Sequence, residues 1–130
     1  MRKKPKYGYC AVTADFLHIG HLRMLKFCAS RCQRLIVGIM SDECVKKYKG
    51  AKPIMNQEQR REIIDYLICT YKTLLQDSFE FPHDVLRMKE FYGKDFVIFD
   101  NAVHNRSGAD VLVPYMEGIS STRFKKEYMS

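Results

Sequence analysis

The sequence predicts an α/β fold, a three-layer sandwich with a mostly parallel central sheet, and three observations predict it. Apolar runs of strand length alternate with segments of helical periodicity. Hydrophobic residues make up 46% of the 130 residues, enough for one core without staples. No stretch reaches the ~20 continuous apolar residues of a membrane span. Strands interleaved with helices need right-handed crossovers that cover both sheet faces, and ligands of such sheets sit beyond the carboxyl ends of strands where the strand order reverses.

The first strand is expected at Tyr9-Cys10-Ala11-Val12. Leu22, Leu25, Ala29 and Cys32 then recur at helical spacing, with Arg23, Lys26 and Arg31 on the remaining faces. A second strand follows at Leu35 to Met40, and a helix around Gln57 to Ile68 presents Ile63, Ile64, Leu67 and Ile68. A shorter helix is expected around His83 to Phe91, strands at Phe96 to Phe99 and Val111 to Val113, and a last helix after Ser120. With no repeat, low-complexity tract or linker, residues 1–130 read as one domain.

Composition narrows the partners. A net charge of +7 suits a small polyanion, nucleic acid or an anionic membrane, and charge alone does not choose. The Lys46-Lys47-Tyr48-Lys49 run reads as a solvated surface, so neither nucleic acid nor membrane is expected as a partner. Five cysteines without a CxxC pair fit reduced thiols. The basic amino terminus leads into a strand rather than an apolar signal core, so a cytoplasmic location is expected.

Chemistry concentrates in Thr13-Ala14-Asp15-Phe16-Leu17-His18-Ile19-Gly20-His21, which leaves the first strand and enters the first helix. Open N–H groups and the dipole at a helix start favour anions, and Gly20 permits close approach of a phosphate. Alternatively, His18 and His21 merely cap the helix, or join Cys28 or Cys32 around zinc, for which no fourth ligand has suitable spacing.

His18-Ile19-Gly20-His21 resembles the HxGH signature of the nucleotidyltransferase superfamily. Lys52 to Arg60 and Glu117-Gly118-Ile119-Ser120-Ser121-Thr122 resemble two further motifs of the cytidylyltransferases, closest to glycerol-3-phosphate cytidylyltransferase-like proteins. The resemblance implies a Rossmann-like fold and transfer of CMP from CTP to a small phosphorylated or phosphonate acceptor, with Mg²⁺ held mainly by the triphosphate. A homodimer is also implied. His18 and His21 would stabilise the α-phosphate region, Thr13, Ala14, Asp15, Gly20 and Arg60 would line the nucleotide site, and Gly118, Ile119, Ser120, Ser121 and Thr122 would hold the β- and γ-phosphates. Lys46, Lys47, Lys49 and Lys52 compete for a phosphate-contacting lysine, and counting back from Arg60 favours Lys49.

Departures from the family pattern stand at Ala14, at Ile68 and Tyr115 or Met116 where arginines are usual, and at Asp100-Asn101-Ala102-Val103 in place of a GDDW-type segment. Most surround the base or the acceptor. They suit a different acceptor, such as another phosphorylated alcohol, a phosphonate or a phosphorylated amino-acid derivative, or a nucleotide-binding protein with weak turnover; the closest enzymatic alternative is an adenylyltransferase using ATP on a phosphorylated cofactor precursor.

Overall fold

The computed structural model describes residues 3–101, 104 and 106–113, and all statements below concern these. The expected helix after Ser120 and the expected site residues Gly118, Ile119, Ser120, Ser121 and Thr122 lie outside them, as do Ala102, Val103, Tyr115 and Met116. In chain order the elements are β1 (Tyr7–Val12), α1 (Ile19–Ala29), β2 (Arg34–Met40), α2 (Asp42–Lys49), α3 (Gln57–Asp65), β3 (Lys72–Gln76), α4 (His83–Tyr92), a 3₁₀ turn (Gly93–Asp95), β4 (Phe96–Asn101) and β5 (Val111–Val113).

The five strands form a sheet in the order β3-β2-β1-β4-β5, with every pairing parallel. The chain winds outward from β1 to β3, returns across the centre, and winds the other way to β5. This reversal is the Rossmann-like topology, and its crevice opens at the carboxyl ends of β1 and β4. β1 and β2 carry apolar residues at consecutive positions because both of their faces are covered.

Cys10, Val12, Leu35, Val37, Ile39 and Phe99 pack on one face with Leu25 and Cys28 of α1 and Ile64 of α3. Tyr9, Ile36, Phe96 and Ile98 pack on the other with Phe81 and Val85. Met40 meets Cys44 and Val45 of α2. No described helix is long and apolar enough to cross a membrane.

Two elements go beyond the sequence expectations. β3 is an edge strand with polar ends, and α2 is a short, lysine-rich helix started by the Ser41 hydroxyl, which accepts from Cys44 N. α3 ends at Asp65, short of the expected Ile68, because the chain turns toward β3 and leaves Ile68 wholly exposed.

Gly38 lies under the buried Tyr9 ring, whose hydroxyl donates to Gln76 Oε1. A Cβ at Gly38 would fall 1.9 Å from that phenolic oxygen. Gly38→Ala is therefore expected to destabilise the protein by about 1–3 kcal/mol through overpacking, read as a lower urea midpoint at unchanged slope.

Candidate functional site

The turn after β1 is strained and held on two sides. Ala14 and Phe16 adopt φ of 55° and 65°, the left-handed region that side chains with a Cβ avoid. Between them the buried Asp15 carboxylate accepts from Ile54 N through Oδ2 and from Met55 N through Oδ1, each at 3.0 Å. Thr13 gives its carbonyl to Arg60 and pairs its hydroxyl with Tyr48 Oη at 3.0 Å. The turn thus delivers the chain to the start of α1 in one orientation.

There the two histidines interlock. His18 is the N-cap of α1, and its Nδ1 accepts from Gly20 N at 3.0 Å. His21 Nδ1 reaches back to accept from His18 N at 3.2 Å, so the pair forms a capping box built from imidazoles. The rings lie 4.0 Å apart between centroids, tilted by 31°.

A neutral imidazole that accepts at one nitrogen carries its proton on the other, so both rings are fixed as Nε2–H donors. His18 Nε2 is buried and has no hydrogen-bond partner among the described residues. Sequence reasoning expected bare backbone N–H groups to meet the phosphate at this helix start. The structure instead gives the N–H groups of His18 and Gly20 to the rings, whose Nε2–H groups are left as the donors. Burial holds His18 below its ordinary pKa, and burial followed by the charges of His18 and Lys49 pushes His21 down to about 4.

Arg60 was expected to touch the nucleotide, and its surroundings correct that expectation. It is wholly buried, donating from Nε to Met55 O at 3.0 Å, from NH1 to Thr13 O and Met40 O, each at 2.8 Å, and from NH2 to Asp42 Oδ1 at 2.8 Å. It joins the ends of β1 and β2, the start of α2 and the loop before α3. Asp15, also expected to line the nucleotide site, likewise spends its carboxylate on the loop at Ile54 and Met55.

Lys49 lies in the last turn of α2; burial and the Arg106 charge, with a smaller contribution from Lys49, hold His104 below its ordinary pKa. His104 and its supports escaped sequence reasoning. Asp100 and Arg106 form a buried pair at 2.6 Å, and Asp100 also accepts from the backbone of Asn101 and Arg106. The Arg106 guanidinium lies 4.3 Å over Phe79, whose edge meets His104 at 5.4 Å and Tyr48 at 5.8 Å. The opposite charges of Asp100 and Arg106, six positions apart, were the only visible signal.

Among the described residues no group of three or more His, Cys, Asp or Glu stands ready to hold a metal ion. A cavity of about 730 Å³ bordered by Lys89, Tyr92 and Asp110 lies at the amino-terminal ends of the strands, away from the two histidines.

Comparison with known proteins gives concordant matches. The cytidylyltransferase-like family profile matches residues 9–113. The bifunctional protein HldE of Hyphomonas neptunium is 31% identical over an alignment covering 90% of this chain and 26% of the relative. HldE of Nitrobacter winogradskyi is also 31% identical, over 93% of this chain and 26% of the relative. The chain therefore spans about a quarter of the length of these relatives. The crystal structure of a lipopolysaccharide core biosynthesis protein from Thermoplasma volcanium shares the fold, with a TM-score of 0.59 at 17% identity, over 94% of this chain and 84% of that one.

Two outcomes follow from the geometry. Because His21 titrates near 4 when folded and near ~6.5 when unfolded, the unfolded chain binds more protons between those values. Stability is expected to fall as pH is lowered through that window, and His21→Ala to flatten part of the slope of melting temperature against pH. Arg60→Ala leaves a carboxylate and three carbonyls without their partner, so a loss of about 3–5 kcal/mol in chemical denaturation is expected.

Proposed function

Because this chain belongs to the cytidylyltransferase-like family, we propose that its nucleotidyltransferase-like domain moves a nucleoside monophosphate from a triphosphate onto a small phosphorylated acceptor and releases pyrophosphate. One observation supports this reading above others: two neutral imidazoles, fixed by backbone hydrogen bonds as Nε2–H donors, follow β1 where the strand order reverses.

The chemistry asks little of the protein in the way of proton transfer. The acceptor's phosphate monoester has a second pKa near ~6, so its attacking oxygen is already ionised near neutral pH. That oxygen forms a bond to the α-phosphorus as the bond to the β-phosphate oxygen breaks, and pyrophosphate leaves with the electron pair. The protein must align two anions and stabilise charge on the α-phosphate oxygens. His18 and His21 supply fixed donors for that charge, and Lys49 supplies a cation beside them.

Magnesium fits this site as a passenger of the nucleotide. The carboxylates nearest the crevice are engaged, Asp15 with backbone N–H groups, Asp42 with Arg60 and Asp100 with Arg106. Its ligands would be phosphate oxygens and water, and it would neutralise part of the triphosphate's charge.

CTP is the nucleotide that the motifs imply. ATP is the second reading: the GDDW-type segment that the resemblance to CTP-using enzymes leads one to expect is replaced here by Asp100-Asn101-Ala102-Val103.

The test is pyrophosphate release in magnesium, with CTP or ATP, against a panel of phosphorylated alcohols and sugars. His18→Asn keeps an oxygen able to cap α1 yet removes the Nε2–H donor. We expect it to remain folded, with kcat reduced on the order of 10²- to 10³-fold. Unchanged turnover in His18→Asn, or no release by the native protein with any pair, would overturn the reading.

A further inference from the structure

The loop after β4 carries a second imidazole arm of the crevice. β1 and β4 are neighbours at the reversal of strand order, so His18 and His21, which follow β1, and His104, which follows β4, rise from its two sides. Unlike the two histidines of the capping box, His104 is exposed, and among the described residues neither of its ring nitrogens makes a hydrogen bond. Its visible contacts are a turn bond from its backbone N to Asn101 O at 3.1 Å and the edge of Phe79.

The supports beneath it are more elaborate than a surface loop requires. Gln76 Nε2 holds the carbonyls of Ser78 and Phe79 while its Oε1 accepts from Tyr9. Arg106, itself buried against Asp100, covers Phe79. Tyr48 braces Phe79 from the other side and is tied to Thr13 at the end of β1. A continuous wall thus runs from β1 through α2 and the loop after β3 to His104.

We propose that His104 is a further substrate-contacting residue that donates from its imidazole to the phosphate of the acceptor, and that Phe79, Asp100 and Arg106 position it. The assignment deepens the nucleotidyl-transfer reading of the same crevice and rests on it. Reaction requires two phosphate groups to meet in line. The capping-box donors follow β1, and His104, whose ring makes no hydrogen bond among the described residues, follows its neighbour β4. A lone neutral N–H can serve an anion there without opposing Lys49.

Two measurements on the full chain test this. In the first, His104→Ala is compared with the native protein using whichever acceptor of the panel supports pyrophosphate release. KM for the acceptor is expected to rise on the order of 10- to 100-fold, the range for one hydrogen bond to a charged group, with KM for the triphosphate within about twofold. Phe79→Ala should reproduce that split, Phe79→Tyr should restore it, and Phe79→Ala should add little in the His104→Ala background. An unchanged acceptor KM, or equal rises in both KM values, overturns the proposal. In the second, inorganic phosphate is titrated into the magnesium–triphosphate complex while the histidine ring signals are followed by NMR. Saturable movement of the His104 signal supports the proposal, and movement confined to His18 and His21 overturns it. This titration needs no turnover, so a protein that never releases pyrophosphate would sink the transfer reading while the role of His104 is still decided.

Discussion

A guanidinium removed from water costs several kcal/mol unless its donors are met, and Arg60 meets that demand with the carbonyls of Met55, Thr13 and Met40 and the carboxylate of Asp42. Those partners come from three separate segments that converge at the carboxyl edge of the sheet. Satisfying one side chain therefore fixes where β1 ends, where β2 ends and how α2 and α3 begin. Asp15 completes the arrangement by binding the backbone at Ile54 and Met55, and the left-handed turn at Ala14 and Phe16 persists because these bonds leave it no relaxed alternative. The position of the capping box is inherited from this framework.

Within the box, electrostatics and hydrogen-bond direction reinforce each other. Each Nδ1 is committed to a backbone N–H, and protonating it would set donor against donor. Burial and the nearby Lys49 charge disfavour the imidazolium as well. The fold thus selects both the charge state and the tautomer of two groups whose ordinary pKa lies near physiological pH. Imidazole suits this work because it passes a helix-terminal N–H outward, accepting on one side and donating on the other.

How much of this was legible in the sequence depended on whether the signal was local. The strands of the sheet centre stood out because burial on both faces demands unbroken apolar runs, as in Leu35 to Met40. β3 did not, since an edge strand with Lys72 and Gln76 at its ends lacks that signature, and α2 hid behind its lysines. The His18 to His21 motif was legible in place, and helix capping was one of its readings, but the reciprocal box between the two rings was not, because histidine is an unusual N-cap. Arg60 shows the limit of motif matching: position in a pattern cannot distinguish a cation facing a ligand from one buried under the site. His104 was invisible because the wall supporting it is assembled from β1, α2, β3 and β4 and exists only after folding.

The pairing of β1 with β4 also governs how the chain must come together. Tyr7 registers with Phe96, and Lys6 N bonds Asp95 across a separation of 89 residues. The central strand is synthesised well before its second neighbour. Until that neighbour arrives, one edge of β1 lacks its partner and the crevice has a single wall. Such long-range closure slows folding, because chain entropy is lost before the contact forms. A nascent chain that ends before β4 therefore holds the histidine motif but not the cleft in which it would operate.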